Sequence, residues 1–189
     1  MQKYKNKKQY RCKNYDYSQS GYYFVTICTK NREMFFGDVK NEEMKLSEIG
    51  LVAEKFWKET SVRFSIVNLN EYVVMPNHIH VLFQPMNGWS VAKIVASWKK
   101  FTARRIRDYL RDANREIGAS RIWHREYWDR AIRNDRHFQQ AKEYIRLNPV
   151  KAGLVSSEED WPWSSASKVI GKANQEIGAP RIGAPEEKL

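Results

Sequence analysis

Residues 75–83 read Met-Pro-Asn-His-Ile-His-Val-Leu-Phe, an apolar run that carries two histidines two positions apart behind a Pro-Asn turn. Successive side chains on a β-strand take opposite faces, so His78 and His80 point one way while Ile79, Val81 and Phe83 point the other. The β-branched stretch before the turn, residues 66–75, reads as an antiparallel partner, and this hairpin is expected at the centre of a sheet. Two converging imidazoles suit a metal ion, but they equally suit core hydrogen bonds or open water, and the pair alone does not choose.

The segments around the hairpin supply the rest of a fold. Residues 22–29, Tyr-Tyr-Phe-Val-Thr-Ile-Cys-Thr, are aromatic and β-branched and read as a buried strand. Ser47 caps a helix in which Ile49, Val52, Ala53, Phe56 and Trp57 recur at helical spacing. Residues 90–111 are helical again, with Val91, Ile94, Val95, Trp98, Phe101, Thr102, Ile106 and Tyr109 on one face. Residues 122–132 read as a last strand, and Asn134 caps a helix over residues 135–147. Strand, helix, strand, strand, helix, strand is the order of a ferredoxin-like α/β sandwich (class α+β), an antiparallel central sheet with flanking helices.

Charge narrows the partners. The 189 residues hold 33 Lys and Arg against 22 Asp and Glu, a formal charge of +11 that favours a polyanion such as nucleic acid. On the helix over 90–111, Lys93, Lys100, Arg104, Arg107 and Arg111 form a basic stripe that reads either as a solvated face or as a phosphate track for DNA. A second basic run, Lys3, Lys5, Lys7, Lys8, Arg11 and Lys13, makes residues 1–20 an arm ahead of one domain over 21–165. The Gly/Pro-rich residues 166–189 read as a low-complexity tail, where Glu176-Ile177-Gly178-Ala179 repeats Glu116-Ile117-Gly118-Ala119. No stretch is apolar enough for a membrane span and no signal-peptide pattern opens the chain, so a cytoplasmic, nucleoid-associated protein without a membrane partner is expected. Cys12 and Cys28 are too few for a disulfide framework and read as free thiols.

The last helix carries the rest of the candidate site. Phe138, Ala141 and Ile145 form its apolar centre, and His137, Gln140, Tyr144 and Asn148 share an adjoining face, so Tyr144 sits at the flank of the stripe. There a tyrosine serves either for packing or for chemistry. Pro149 disfavours helix at Asn148, which makes Asn148 a candidate helix end.

Two motifs, Glu71-Tyr72-Val73-Val74-Met75-Pro76-Asn77-His78-Ile79-His80 and Tyr144-Ile145-Arg146-Leu147-Asn148-Pro149-Val150-Lys151-Ala152-Gly153-Leu154-Val155, resemble in that order the HUH single-tyrosine transposases of insertion sequences. The chain is most similar to the REP-associated tyrosine transposases, from Tyr22 to Trp163. The resemblance implies that His78 and His80 bind a divalent metal, Mg2+ or Mn2+, and that Tyr144 is the nucleophile. Asn148 falls where the family places a third polar ligand, often glutamine. It further implies a phosphotyrosine endonuclease and strand transferase acting on single-stranded DNA hairpins, with REP-like repeats as the sequences, and it leaves monomer and homodimer open. The chemistry suits these residue types: a phenol titrating near ~10 is a weak nucleophile that needs an electrophile activated beside it. A non-catalytic nucleic-acid-binding protein with an RRM-like sheet is the alternative, although no RNP1-like segment is present. A metallophosphoesterase using activated water is less well matched, because position 82 is Leu82 and no Asp-His follows the histidine pair.

Overall fold

A computed structural model describes residues 21–40, 43–112 and 122–168. The N-terminal arm with Cys12, the tail beyond Lys168 and both repeat copies other than Ile122 lie outside the described residues. In chain order the elements are β1 (Tyr23–Cys28), β2 (Gly37–Lys40), β3 (Glu43–Leu46), α1 (Glu48–Phe64), β4 (Val67–Met75), β5 (His78–Pro85), α2 (Val91–Asp112), β6 (Trp128–Ala131), α3 (Asp135–Arg146) and α4 (Asn148–Lys151).

The main sheet has strand order β4-β5-β1-β6, every pair antiparallel. This is the ferredoxin-like arrangement that the order of elements implied. The hairpin expected at the centre is there, but only β5 is interior; β4 forms an edge, because β1 inserts on the far side of β5. That edge is not left bare. Val74 donates its N–H to Trp163 O at 2.9 Å, Ser165 donates to Tyr72 O at 3.0 Å, and the Trp161 indole donates to Val74 O at 3.0 Å. The chain after α4 therefore satisfies the backbone groups that an edge strand exposes.

Register divides the sheet into two chemically different faces. Tyr23, Val25 and Ile27 on β1 stand opposite Phe83, Val81 and Ile79 on β5, and all six are buried. They face α1 and α2: Trp57 of α1 meets Phe83 edge-on at 5.3 Å and Trp98 of α2 at 5.7 Å. Phe24, Thr26 and Cys28 stand opposite Leu82, His80 and His78 on the other face, which α3 covers. Both predicted caps form, Ser47 Oγ accepting from Gly50 N at 3.1 Å and Asn134 Oδ1 from His137 N at 2.9 Å. Cys28 is a buried free thiol, its pKa raised by burial.

Three features differ from the sequence reading. The β2–β3 hairpin ahead of α1 gave no clear signal, and its approach explains Gly50: a Cβ there would lie 2.2 Å from the Phe36 carbonyl oxygen. The strand expected over 122–132 is shorter. Only Trp128–Ala131 pairs continuously with β1, and upstream Trp123 makes an isolated bridge to Thr29. Between them the backbone turns around the Lys99 ammonium, which takes the carbonyls of His124 at 3.0 Å and Glu126 at 3.1 Å. Phe101, expected on the buried face of α2, is 38% exposed and packs edge-on against Phe56 at 4.5 Å.

Candidate active site

On the α3 side of the sheet, the alternation of β5 puts both imidazoles on one face, with ring centroids 4.6 Å apart. Each ring is held by a hydrogen bond at Nδ1. His80 Nδ1 lies 2.8 Å from Thr26 Oγ1, its directly opposed neighbour on β1, and His78 Nδ1 lies 2.7 Å from Asn77 Oδ1. With Nδ1 engaged, Nε2 is the nitrogen of His80 left to face a ligand. Burial pushes the His78 pKa down to about 4, with the Arg32 charge adding to the effect and a hydrogen bond with the Asn148 side chain opposing it. Burial likewise holds His80 well below the ordinary histidine range, helped by its neighbour His78. Both rings are thus neutral near pH 7, the form that donates a lone pair.

Helix α3 delivers the tyrosine. Ile145 is fully buried under it, and Phe138 packs edge-on against Tyr22 at 4.8 Å, so the expected apolar stripe is the one that docks. Tyr144 lies off that stripe and is 44% exposed. Its ring meets His80 at 5.3 Å and Phe24 at 5.6 Å, both edge-to-face. The C-terminal turn of α3 is clamped to β4: Arg146 donates to Glu71 Oε1 from Nη2 at 2.7 Å and from Nε at 3.1 Å, and Lys142 Nζ stands 3.4 Å from the same oxygen. Burial raises the Glu71 pKa, but the hydrogen bonds from Arg146 and Ser165 outweigh it and hold the carboxyl ionised below its ordinary range. Because residues 142 and 146 bracket Tyr144, this buried carboxylate fixes where the phenol stands.

Asn148 sits at the junction of α3 and α4. Leu147 closes α3, and Pro149 occupies the first turn of α4, where its missing N–H costs no helical hydrogen bond. The amide is thereby brought to His78. Among the described residues no group of three or more His, Cys, Asp or Glu side chains is placed to hold a metal. The available donors are instead two neutral imidazoles and one amide. Nitrogen and oxygen donors of this kind fit a small divalent cation, and the imidazoles suit Mn2+ somewhat better than the oxygen-preferring Mg2+.

The four residues His78, His80, Tyr144 and Asn148 therefore converge, whereas the basic stripe does not join them. Lys93, Lys100, Arg104, Arg107 and Arg111 are all exposed on α2, in the helical layer across the sheet from Tyr144. Other cations lie nearer: Lys151 Nζ is 5.8 Å from the Tyr144 ring centroid, and Arg32 is close enough to act on His78. Sequence reasoning missed Thr26, Asn77, Phe24 and Glu71. Asn77 was visible only as a turn residue, and the other three depend on strand register and helix docking.

Comparison with known proteins gives a consistent result. Residues 16–148 match the family model described as "Transposase IS200 like". An uncharacterized protein of Haemophilus influenzae is 30% identical over 167 residues, covering 77% of this chain and 89% of the relative. A REP-associated tyrosine transposase of Escherichia coli is 23% identical over 156 residues, covering 82% of each. A solved structure of a REP-associated tyrosine transposase bound to a REP hairpin shares the fold, with a TM-score of 0.60 at 24% identity over 82% of each chain.

Proposed function

Because the chain belongs to the family of IS200-like transposases, we propose that it cuts and rejoins single-stranded DNA at hairpins of the REP type. In this reading Tyr144 is the nucleophile, and His78, His80 and Asn148 hold a divalent cation, Mg2+ or Mn2+. The observation that carries it is the exposed Tyr144 ring standing 5.3 Å from the buried, Thr26-anchored His80. A phenol open to solvent beside two neutral imidazoles is a poor structural investment but a usable reaction centre.

The cation, when bound, supplies positive charge to the non-bridging oxygens of the scissile phosphate. The protein's own groups do the rest. Glu71, through Arg146 and Lys142, holds α3 with the Tyr144 ring beside that of His80. Attack by the Tyr144 oxygen forms a bond to phosphorus and breaks the bond to the 3′ oxygen, leaving a 5′-phosphotyrosine and a 3′-hydroxyl. The phenolic proton passes to solvent, and the departing 3′ oxygen takes one up. The ester conserves the energy of the broken linkage, so a 3′-hydroxyl can attack it in turn and reseal strands without a nucleotide cofactor. Lys151 and Arg32 bring positive charge to the rim the phosphate must cross. Covalent capture of a labelled hairpin strand on a denaturing gel tests the reading, since neither a passive DNA binder nor a hydrolase using activated water attaches DNA to tyrosine.

The hydrogen bond behind His80 has a measurable consequence. Thr26→Val keeps the volume but removes the hydroxyl at 2.8 Å from His80 Nδ1, so Mn2+ affinity measured by calorimetry is expected to fall about 10- to 100-fold. Unchanged affinity would show that β1 does not orient the ring.

The α2 stripe is tested by salt. If its cations track phosphates, Lys100→Ala and Arg104→Ala each weaken binding to all sequences alike and lower the slope of log affinity against log salt by about 0.7 for single-stranded DNA. Unchanged slopes in both would move the DNA to the rim of Arg32, Arg130 and Lys151 on the other side of the sheet.

A further inference from the structure

At the edge of the sheet next to the candidate site, β6 and the loop before it carry a pair of stacked rings that the chemistry above does not use. Trp128 stands directly opposite Thr26, which stands directly opposite His80, so one row across the sheet runs Trp128, Thr26, His80 on the face where Tyr144 lies. At roughly 5 Å per strand, the indole backbone is about 10 Å from that of His80. The Trp128 ring is only half-buried and lies parallel to the His124 ring, centroids 5.7 Å apart at an interplanar angle of 14°. The loop beneath is rigidly held: Lys99 binds the carbonyls of His124 and Glu126, and the Glu126 N–H donates to His124 Nδ1 at 3.2 Å. One step along β6 on the same face is Arg130, exposed and opposite Phe24, whose ring touches that of Tyr144.

A flat pair of rings, a guanidinium one pleat away and a reaction centre about two strand widths across the sheet suit the alternation of base and phosphate along an unpaired strand. We propose that His124 and Trp128 form a stacking platform for an unpaired nucleobase of the DNA strand flanking the scissile phosphate, with Arg130 contacting its backbone. Stacking of this kind accepts any base, because every base offers a π-face. The platform holds the strand in line with Tyr144 but does not read its sequence. A duplex, whose bases are already stacked inside the helix, gains nothing from it. The proposal rests on the reading of single-stranded DNA as substrate, and it deepens that reading by naming where the strand outside the hairpin lies.

The test compares oligothymidylate with a strand of equal length in which abasic sites replace the thymidines, both binding the full chain in EDTA. Wild type should prefer oligothymidylate. Trp128→Ala should lose roughly 5- to 150-fold on oligothymidylate and almost nothing on the abasic strand, while Trp128→Phe retains most of the preference. In parallel, oligothymidylate bearing 5-iodouracil is photo-cross-linked to the unmodified chain, with the adduct expected in the peptide holding His124 and Trp128. Equal wild-type affinity for both strands, or cross-links confined to α2, would overturn the proposal even if the alanine variant fails to fold. Binding in EDTA needs neither the cation nor the phenol, so a platform that works in a protein that never forms an adduct would sink the phosphotyrosine reading and leave the platform standing as a single-strand binding site. The reverse pattern would do the opposite.

Discussion

Tyr144→Phe is expected to yield a folded protein that still binds hairpin DNA and forms no covalent adduct with it. The packing of Tyr144 runs through its ring, against His80 at 5.3 Å, Phe24 at 5.6 Å and the Lys151 ammonium at 5.8 Å, and phenylalanine keeps the ring. At a site 44% exposed, the stability change should stay within about 0.5 kcal/mol. DNA affinity should also hold, because the cations of α2 and of the rim are untouched. What disappears is the atom proposed to take the phosphoryl group, so the loss should be total rather than graded. The readout is a labelled strand shifted with the protein on a denaturing gel, followed by mass spectrometry of the attached peptide. An adduct surviving in the variant, or attached in wild type to Tyr127, would show that α3 does not carry the nucleophile.

The parts of this site legible in the sequence are those set by local periodicity. Strand alternation puts His78 and His80 on one face, and helical spacing buries Ile145 while leaving Tyr144 at the flank; both hold in the structure. The order of strands and helices likewise led to the fold. What the sequence hid is tertiary. That Thr26 backs His80 follows from the β1–β5 register, in which a slip of one residue would have turned Thr26 to the α1 and α2 face. Glu71 entered only as the first residue of the histidine motif, yet it is 3% exposed and anchors the tyrosine helix through Arg146. The interior place of β5 and edge place of β4 depend on where β1 inserts, which no local pattern encodes. The stripe on α2 was correctly seen as continuous and exposed, but helical spacing does not say which side of the sheet a helix will cover. Read from the sequence, it could have rimmed the histidines; in the fold, the layer of β-strands separates the two.

Loss of either histidine should be nearly as severe as loss of the phenol. His78→Ala and His80→Ala are each expected to abolish measurable Mn2+ binding in calorimetry, and cleavage should drop at least about a hundred-fold, since charge stabilisation by a bound ion contributes several kcal/mol and each 1.36 kcal/mol is tenfold. Excess EDTA should impose the same loss on the wild type, and resupplied Mn2+ should reverse it there but not in the variants. Hairpin binding should survive in all of these, because Arg32, Lys151 and the cations of α2 are left in place. The two substitutions are not equal in stability: His80 is 5% exposed and its removal strands the Thr26 hydroxyl, whereas His78 is only half-buried. His80→Ala should therefore be the less stable of the two by about 1–3 kcal/mol, from the lost buried ring and its hydrogen bond with the partly buried Thr26 hydroxyl. Asn148→Ala removes one neutral donor of three, so its activity should fall less and recover in part at high Mn2+. Wild-type activity of that variant at limiting metal would reduce Asn148 to the joint between α3 and α4. Full cleavage in excess EDTA would remove the cation from the reaction and leave His78 and His80 as neutral acceptors lining the phosphate path.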